Sequence, residues 1–311
     1  MRWVYPIFCL WLPLAAQVAH DSWAKPIEAL IISGDLTQAQ QRLKQETALR
    51  GKTSAGVYLE ARILFEQRRF TEALQVIQGS LAAFPRDPEL FKLAALSAIR
   101  VDRLDIAEPA LKTAAQLAPG DYLVHFHLGA LYYTKSLFLS AKPALEKAVE
   151  LNGGYMPALL FLGLTLEEVG DEKTVVATYR RAIEVAASGQ AAKEMPYIYL
   201  GRFYYRLNRF EDGLPLLEKA AVINPRSGEA QLHLGKTLHA LHRDTEAAAA
   251  LERAAAADGQ DPEPHYLLFR IFDSQGKAAA AQEELKRFQE LEKQKPAGDL
   301  ARRKLGSTAS Q

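Results

Sequence analysis

Small and large apolar residues recur along this chain at a spacing that is typical of paired helices. One column of small residues returns every 34 residues, with a single step of 38 residues between Val175 and Gly213. The column consists of Ala39, Ala73, Ala107, Ala141, Val175, Gly213, Ala247 and Ala281. A period of about 34 residues fits one helix–turn–helix unit, which buries its apolar face only by stacking on a neighbour. The pattern therefore predicts an all-α array of helix pairs.

Two further columns run in step with the first. Small residues precede it by twelve positions at Ala61, Ala95, Gly129, Gly163, Gly201 and Gly235, whereas the first and last units depart from the pattern with Ile27 and Phe269. Large apolar residues follow it by four positions at Leu43, Ile77, Leu111, Leu145, Tyr179, Leu217, Leu251 and Leu285. Small positions facing large ones let two antiparallel helices approach closely and interlock. We therefore expect Gly163, Gly201 and Gly235 to reject a larger side chain.

Helix-stopping residues follow several of the second helices. Pro85, Pro119 and Pro225 each come a few residues after the large apolar column. Proline cannot continue a helix, so these positions predict where second helices end. In the fourth unit the stretch 152–154, Asn-Gly-Gly, predicts a left-handed cap instead.

These columns resemble the tetratricopeptide repeat, whose pattern combines Leu-Gly, Tyr, Ala, a large apolar residue, Ala and Pro. The closest fits are Leu128-Gly129 with Tyr132, Ala141, Leu145 and Ala148, and Tyr197 with Leu200-Gly201, Tyr204, Leu217, Ala220 and Pro225. Leu162-Gly163 and Leu234-Gly235 repeat the most diagnostic pair. The resemblance covers nearly all of residues 20–290 and implies eight tandem repeats. The fold it implies is a right-handed superhelical solenoid of antiparallel helix pairs.

The first residues of the chain predict an export signal at residues 1–19. Met1-Arg2 supplies a positive start, and residues 3–16 form an apolar run without charge. Cleavage is expected after Ala16 or Ala19, which makes the mature protein periplasmic or secreted. An uncleaved anchor and a buried first helix are the alternatives. Cys9 is the only cysteine, so a mature chain without the signal would contain no disulfide within itself.

The repeat pattern also divides the rest of the chain. Residues 20–190 are expected to hold repeats one to five, and residues 191–295 repeats six to eight with a C-terminal capping helix. Residues 296–311 are predicted to be a disordered tail. The extra residues of the single longer step fall within 187–193, which predicts a hinge or a longer turn.

Charge and hydropathy exclude two classes of partner. The formal net charge is +1, and nonspecific nucleic-acid binding needs a strongly basic face. Beyond residue 20 no apolar stretch is long enough for a transmembrane helix. A protein or peptide partner remains, and self-association is possible.

The resemblance implies that the first helix of each pair lines an inner groove. Residues spaced by four and seven positions share one helix face, and this spacing gives a candidate groove. The candidates are Tyr58, Arg62, Phe65, Lys92, Phe126, Tyr133, Arg202, Tyr205, Lys236, His239, Tyr266 and Arg270. Acidic residues on this face are expected to be few, namely Glu167 and Asp273. Aromatic rings with spaced cations suit an extended peptide that carries acidic side chains or a free carboxylate.

Other interpretations of the same residues stay open. The aromatic rings could pack between helices while the cations keep the face hydrated. The rings could instead stack on sugars, which would make the protein a carbohydrate-binding or envelope-polymer assembly subunit. The leading prediction differs from both of these alternatives. It is a non-enzymatic scaffold or adaptor for protein–protein interaction.

No motif in the sequence predicts catalysis, a cofactor or a metal. His125 and His127 are two residues apart and point in different directions on a helix. His239 and His242 lie one turn apart, but no carboxylate joins them at ligand spacing on that helix. The Gly-Gly stretch at 153–154 lacks the lysine of a phosphate-binding loop. We therefore expect no catalytic residues, no cofactor and no metal.

Overall fold

The fold is taken from a computed structural model, which describes residues 22–189 and 193–294. In these two ranges every regular element is an α-helix, and there are sixteen of them. The predicted all-α class is therefore confirmed. The predicted signal segment at 1–19 and the predicted tail at 296–311 lie outside the described residues.

The chain forms two compact units, Met1–Asp171 and Glu172–Gln311. The described helices of the first unit are α1 Lys25–Ile32, α2 Leu36–Arg50, α3 Ser54–Glu66, α4 Phe70–Gln78, α5 Pro88–Arg100, α6 Leu104–Leu117, α7 Tyr122–Thr134, α8 Phe138–Leu151 and α9 Met156–Val169. Those of the second unit are α10 Glu172–Ser188, α11 Met195–Arg206, α12 Phe210–Ile223, α13 Gly228–Ala240, α14 Asp244–Ala257, α15 Glu263–Ser274 and α16 Ala278–Gln294. The division falls inside the predicted fifth repeat, whereas the sequence places a boundary at 190/191.

Helices pack in pairs within each unit. The most extensive contacts join α5 to α6, α7 to α8 and α13 to α14, which are the two helices of one pair. First helices also contact the first helix of the next pair, as α3 contacts α5 and α11 contacts α13. Within each unit, neighbouring first helices therefore contact one another, and the predicted groove residues lie on these helices.

The small columns are where the paired helices come closest. Ala73, Ala107 and Ala141 are completely buried. A Cβ atom added at Gly129 would lie 2.5 Å from Cγ of Leu145, and one at Gly201 would lie 2.6 Å from Cγ of Leu217. The predicted interlocking of glycine and leucine is confirmed at these positions.

The turns inside the pairs contain a further column that the sequence pattern does not predict. In seven of the eight turns one residue adopts a left-handed backbone conformation, and these residues recur with the repeat, whereas Gly170 at the equivalent position of the fifth pair has φ −100°. The seven residues are Gly34, Arg68, Asp102, Ser136, Asn208, His242 and Gly276, with φ between 57° and 83°. Only two of the seven are glycine, so the column carries no uniform residue signature. Non-glycine residues in this region are strained by the contact of Cβ with the backbone.

Two of the predicted helix ends need correction. Helix α4 ends at Gln78, well before Pro85, because the chain turns from Gly79 onward. Helix α8 ends at Leu151 and is followed by Asn152 with φ −143°, so the predicted left-handed cap does not form there. Pro119 and Pro225 do follow the ends of α6 and α12 by two residues, as predicted.

The longer repeat step is partly taken up by a longer helix. Helix α10 continues to Ser188, so the first two residues of the predicted hinge at 187–193 are helical. Residues 190–192 lie outside the described part of the chain.

Candidate functional site

The predicted groove residues fall into two classes, one in each unit. In the first unit, Tyr133 is half-buried, and the buried members are Tyr58, Arg62, Phe65, Lys92 and Phe126. In the second unit, Arg202, Tyr205, Lys236 and His239 are half-buried, and Tyr266 and Arg270 are exposed. A ligand in solution can therefore reach the second-unit residues more readily than those of the first unit.

Lys92 lies in a buried ion-pair network of the first unit. Its Nζ lies 2.8 Å from Oε1 of Glu89 and 2.7 Å from Oδ2 of Asp121. Asp121 also caps α7, because its Oδ1 accepts the backbone N–H of Leu123 at 2.9 Å. Lys92 therefore joins α5 to the beginning of α7 rather than offering a free cation.

Burial and attraction act in opposite directions on this network. Burial disfavours the Lys92 ammonium, but attraction by Glu89 and the hydrogen bond to Asp121 outweigh it and raise the pKa of Lys92. For Glu89 burial dominates and raises the carboxyl pKa despite the attraction of Lys92. Since the Asp121 carboxylate also accepts the backbone N–H of Leu123, we assign the stronger ion pair of the network to Lys92 and Asp121.

Arg62 is the second predicted cation that the fold buries. Its guanidinium donates to the hydroxyl of Tyr58 at 3.3 Å. Glu28 lies near enough for Arg62 to lower its carboxyl pKa, although burial raises that pKa more strongly. Nε of Arg62 and Oε1 of Glu28 have no hydrogen-bond partner among the described residues. The predicted cations of the first unit, Arg62 and Lys92, are thus buried inside the fold.

The aromatic residues of the first unit pack on one another. The ring of Phe126 lies 5.2 Å from that of Tyr155 and 5.6 Å from that of Phe161, both edge to face. The Tyr133 ring lies 5.7 Å from Phe161 and 5.4 Å from Phe138. Edge-to-face pairs at these distances are typical of a packed interior. Packing between helices therefore accounts for the rings of this unit.

The second unit carries the same kind of bridges, but closer to solvent. Nζ of Lys236 lies 2.7 Å from Oε1 of Glu263, whose side chain is 45% exposed. The Arg202 guanidinium lies 4.0 Å from Glu229 and covers the Tyr199 ring at 4.7 Å. Each glutamate stands in the first turn of the next first helix.

The expectation that acidic residues are few on this face was wrong. The carboxylates that meet the predicted cations are Glu89, Asp121, Glu229 and Glu263. Glu229 and Glu263 are separated by one repeat length, and Glu89 stands at the equivalent position of its repeat. A search for a column of acidic residues at the start of the first helices would have found them.

The open part of the face lies on α13 and α15. Nδ1 of His239 lies 2.7 Å from Oδ1 of Asp244, at the beginning of α14. Tyr266 is 41% exposed, and its ring lies 5.3 Å from that of Phe288. Arg270 is exposed and has no ion pair with any residue that the structure describes. This part of the chain therefore combines an accessible ring with an unpaired cation.

The histidines of the first helices include two enclosed ones. Burial lowers the pKa of His127 to about 3, and its Nδ1 has no hydrogen-bond partner in the described chain. His233 stands at the equivalent repeat position, and burial lowers its pKa to about 3 as well. In residues 22–189 and 193–294 no three His, Cys, Asp or Glu side chains come together as metal ligands would.

Comparison with known proteins identifies the repeats. Models of the tetratricopeptide repeat match residues 29–88 and 204–271. The BBSome complex member BBS4 homolog of Drosophila melanogaster is 24% identical over 176 residues, which cover 56% of this chain and 36% of that protein. None of the helices in the described ranges is both long and apolar enough to cross a membrane.

Solved structures share the fold. The anaphase-promoting complex hetero-tetramer Cut9–Hcn1 matches with a TM-score of 0.60 and 18% identity, over 79% of this chain and 48% of that one. The C-terminal part of a tetratricopeptide repeat protein from Cytophaga hutchinsonii matches with a TM-score of 0.60 and 15% identity, over 76% and 96%. This chain thus spans about a third of the fly relative and about half of the Cut9–Hcn1 chain. The chain contains tetratricopeptide repeats, a fold for protein–protein interaction.

Proposed function

We propose that this tetratricopeptide repeat protein is a non-enzymatic scaffold that holds an extended segment of a partner protein against its second unit. The binding surface, which we call the second-unit face, is formed by Arg202, Tyr205, Lys236, His239, Tyr266 and Arg270. The observation that carries the proposal is the unpaired, exposed Arg270 one helical turn from the exposed ring of Tyr266.

The chemistry of the second-unit face suits a segment with a carboxylate. The planar guanidinium of Arg270 can donate two parallel hydrogen bonds to the two oxygens of a carboxylate. Lys236 is held by Glu263, which is half in solvent and can be exchanged for a carboxylate of the ligand at little cost. Tyr205 and Tyr266 add rigid apolar area with a polar tip, which is common at protein interfaces.

The first unit is left out of the proposed site for a physical reason. Its cations are neutralised inside the fold, as Lys92 is by Glu89 and Asp121. To reach Lys92, a ligand carboxylate would have to break its two buried ion pairs. Leaving Glu89 and Asp121 buried without a counter-ion would cost free energy.

The compartment is part of the proposal as well. We place the protein in an exported compartment because residues 1–19 combine a basic start with a charge-free apolar run. The names of the relatives place those proteins in multiprotein assemblies. By analogy we propose that this chain also holds an assembly together.

A charge-reversal variant tests the second-unit face. Lys236→Glu/Arg270→Glu is compared with Lys44→Glu/Lys52→Glu, which makes the same charge change at exposed positions of the first unit. We expect affinity capture from native cells to lose its partners with the first variant and to keep them with the second. Identical partners for both variants would contradict the assignment. Capture of envelope glycans instead of protein would favour the carbohydrate-binding alternative.

N-terminal sequencing tests the compartment separately. We expect the protein from the exported fraction to begin after Ala16 or Ala19. Recovery of the chain from the cytoplasm with its original start would contradict export without affecting the second-unit face.

A further inference from the structure

Each unit carries a cleft at the same place in the repeat, away from the second-unit face. The clefts lie between a second helix and the pair that follows it. Equivalent residues line both: Gln40, Leu64 and Arg69 in the first unit, and Val176, Tyr204 and Arg209 in the second. The volumes differ greatly, at about 260 Å³ in the first unit and about 820 Å³ in the second.

The two clefts also differ in charge. The first is lined by two glutamates and by Arg69, which pairs with Glu72 at 2.6 Å. The second, which we call the outer groove, is lined by four basic and two acidic side chains. They are Lys173, Arg180, Arg181, Arg209, Glu172 and Glu184. The repeat architecture alone therefore explains neither the size nor the positive charge of the outer groove.

One basic residue of the outer groove is structural. Arg209 pairs with Glu172 and, at 2.6 Å, with Asp212, and it covers the Tyr204 ring at 4.7 Å. It forms a fixed wall and neutralises Glu172. The net positive charge of the groove therefore belongs to the residues on α10.

The basic residues of α10 are exposed and unpaired. Lys173, Arg180 and Arg181 have no ion pair with any residue in the described ranges. Val176 and Ala177 lie between them and give the groove an apolar floor. Unpaired like charges along one helix do not stabilise the fold, so these three side chains are available to pair with a ligand.

We propose that the outer groove is a second binding surface, whose occupant is an acidic, extended segment of a partner protein. Lys173 and Arg181 are separated by about 12 Å along the helix at ~1.5 Å per residue. An extended chain at ~3.3 Å per residue covers that distance in roughly four residues. The segment therefore carries two carboxylates three or four residues apart, with an apolar side chain between them for Val176 and Ala177.

Other anionic occupants fit this groove less well. A small anion would fill little of a cleft of about 820 Å³ and would leave the apolar floor exposed. Nucleic acid is bound through many phosphate contacts along a long basic stripe, whereas the three free cations here occupy about two turns of one helix. An acidic peptide can pair with the basic side chains, span the distance between them and cover the apolar floor of the groove.

Selection from a displayed library of random dodecapeptides tests this proposal on the full chain. We expect the wild-type protein to enrich peptides with two acidic residues three or four positions apart around an apolar residue. Arg180→Glu/Arg181→Glu should weaken the enriched peptides at least tenfold, as measured by fluorescence anisotropy. Lys44→Glu/Lys52→Glu is the matched control, because Lys44 stands at the position of Arg180 in the first-unit repeat. Unchanged circular dichroism confirms folding.

The outcomes separate the outer groove from the second-unit face. Binding that survives Lys236→Glu/Arg270→Glu but not Arg180→Glu/Arg181→Glu supports the outer groove, whatever becomes of the proposed function. The proposal is overturned if no acidic peptides are enriched, if their binding survives the Arg180/Arg181 reversal, or if glutamine versions bind equally well. Equal displacement by inorganic triphosphate and by the peptide would also overturn it, since the groove would then bind anions in general.

Discussion

A Cβ atom at Gly235 would lie 2.6 Å from Cγ of Leu251, on the facing helix of the same pair. The carbonyl oxygen of Ala247 would lie only 3.2 Å away. This contact links a sequence column to the distance between two helices. The small column sets how closely the helices of a pair approach, and the large column fills the space that this leaves.

Enlarging Gly235 should therefore separate α13 from α14. We expect Gly235→Leu to reduce the free energy of unfolding by about 1–3 kcal/mol through overpacking. Gly120→Leu is the control, because no atom lies within 4 Å of a Cβ at Gly120. Urea denaturation of both variants gives the comparison, and an equal loss would contradict the close approach.

At the left-handed turn positions, replacing glycine should lower stability and introducing glycine should raise it. Gly276→Ala should cost about 1 kcal/mol, since φ is +69° there and Cβ would clash with the backbone. Arg68→Gly should stabilise by up to about 1 kcal/mol, because it relieves the strain at φ 62°. Chemical denaturation checks both. Changes of the same sign in the two variants would show that the turn conformation is not the cause.

His127 should make the protein sensitive to acid. Its pKa is lowered to about 3 in the fold from an ordinary value of 6.5, so the unfolded chain takes up a proton that the folded chain rejects. The contribution to stability is complete above pH 6.5 and is lost as the pH falls towards 3, at about 1.4 kcal/mol per pH unit.

Replacing the His127 imidazole should remove its share of that sensitivity and leave the share of His233. His127→Phe is suitable because Phe161 stands at the equivalent position of the next repeat. Between pH 7.5 and pH 5.0 we expect wild type to lose about 2 kcal/mol more than this variant. His125→Gln, on the same helix but half-exposed, should behave as wild type. Equal acid loss in wild type and His127→Phe would show that His127 is not the titrating group.

The Lys92 network predicts a cost for removing only one partner. Lys92→Met leaves Glu89 and Asp121 without their counter-ion, and we expect a loss of about 3 kcal/mol. Adding Glu89→Met should recover part of it, since apolar residues such as Phe126 and Leu123 occupy the equivalent positions in the next repeat. The exposed pair of Lys112 with Glu108 is the comparison, and Lys112→Met should change stability by less than ~0.5 kcal/mol. Similar losses for Lys92→Met and Lys112→Met would rule out a special role for burial.

Much of this fold could be predicted from the sequence because the same small and large positions recur in every repeat. Small and large residues at positions such as Gly201 and Leu217 identify the paired helices, and their contact follows from helical geometry. The turns were less predictable, since residues as different as Arg68 and Asn208 adopt the same left-handed conformation.

The candidate site was less predictable than the fold for two reasons. Helical spacing assigns Tyr58 and Tyr266 to the same position of their repeats, but it does not give how deeply each side chain is buried. Tyr58 is 1% exposed and Tyr266 is 41% exposed. Ion pairs such as Lys236 with Glu263 join different repeats, and a search within single helices does not detect them. The outer groove does not follow from the pattern of the first helices because its basic residues lie on a second helix.

The claim that the second-unit face holds a partner segment is tested most directly by crosslinking in the living cell. A photo-reactive benzoylphenylalanine at the exposed Tyr266 is compared with one at Leu139, which is 81% exposed in the first unit. We predict that Tyr266 crosslinks to a distinct partner protein, that Leu139 does not, and that Arg270→Glu abolishes the Tyr266 product. The same products from both sites, or a Tyr266 product that survives Arg270→Glu, would contradict the account.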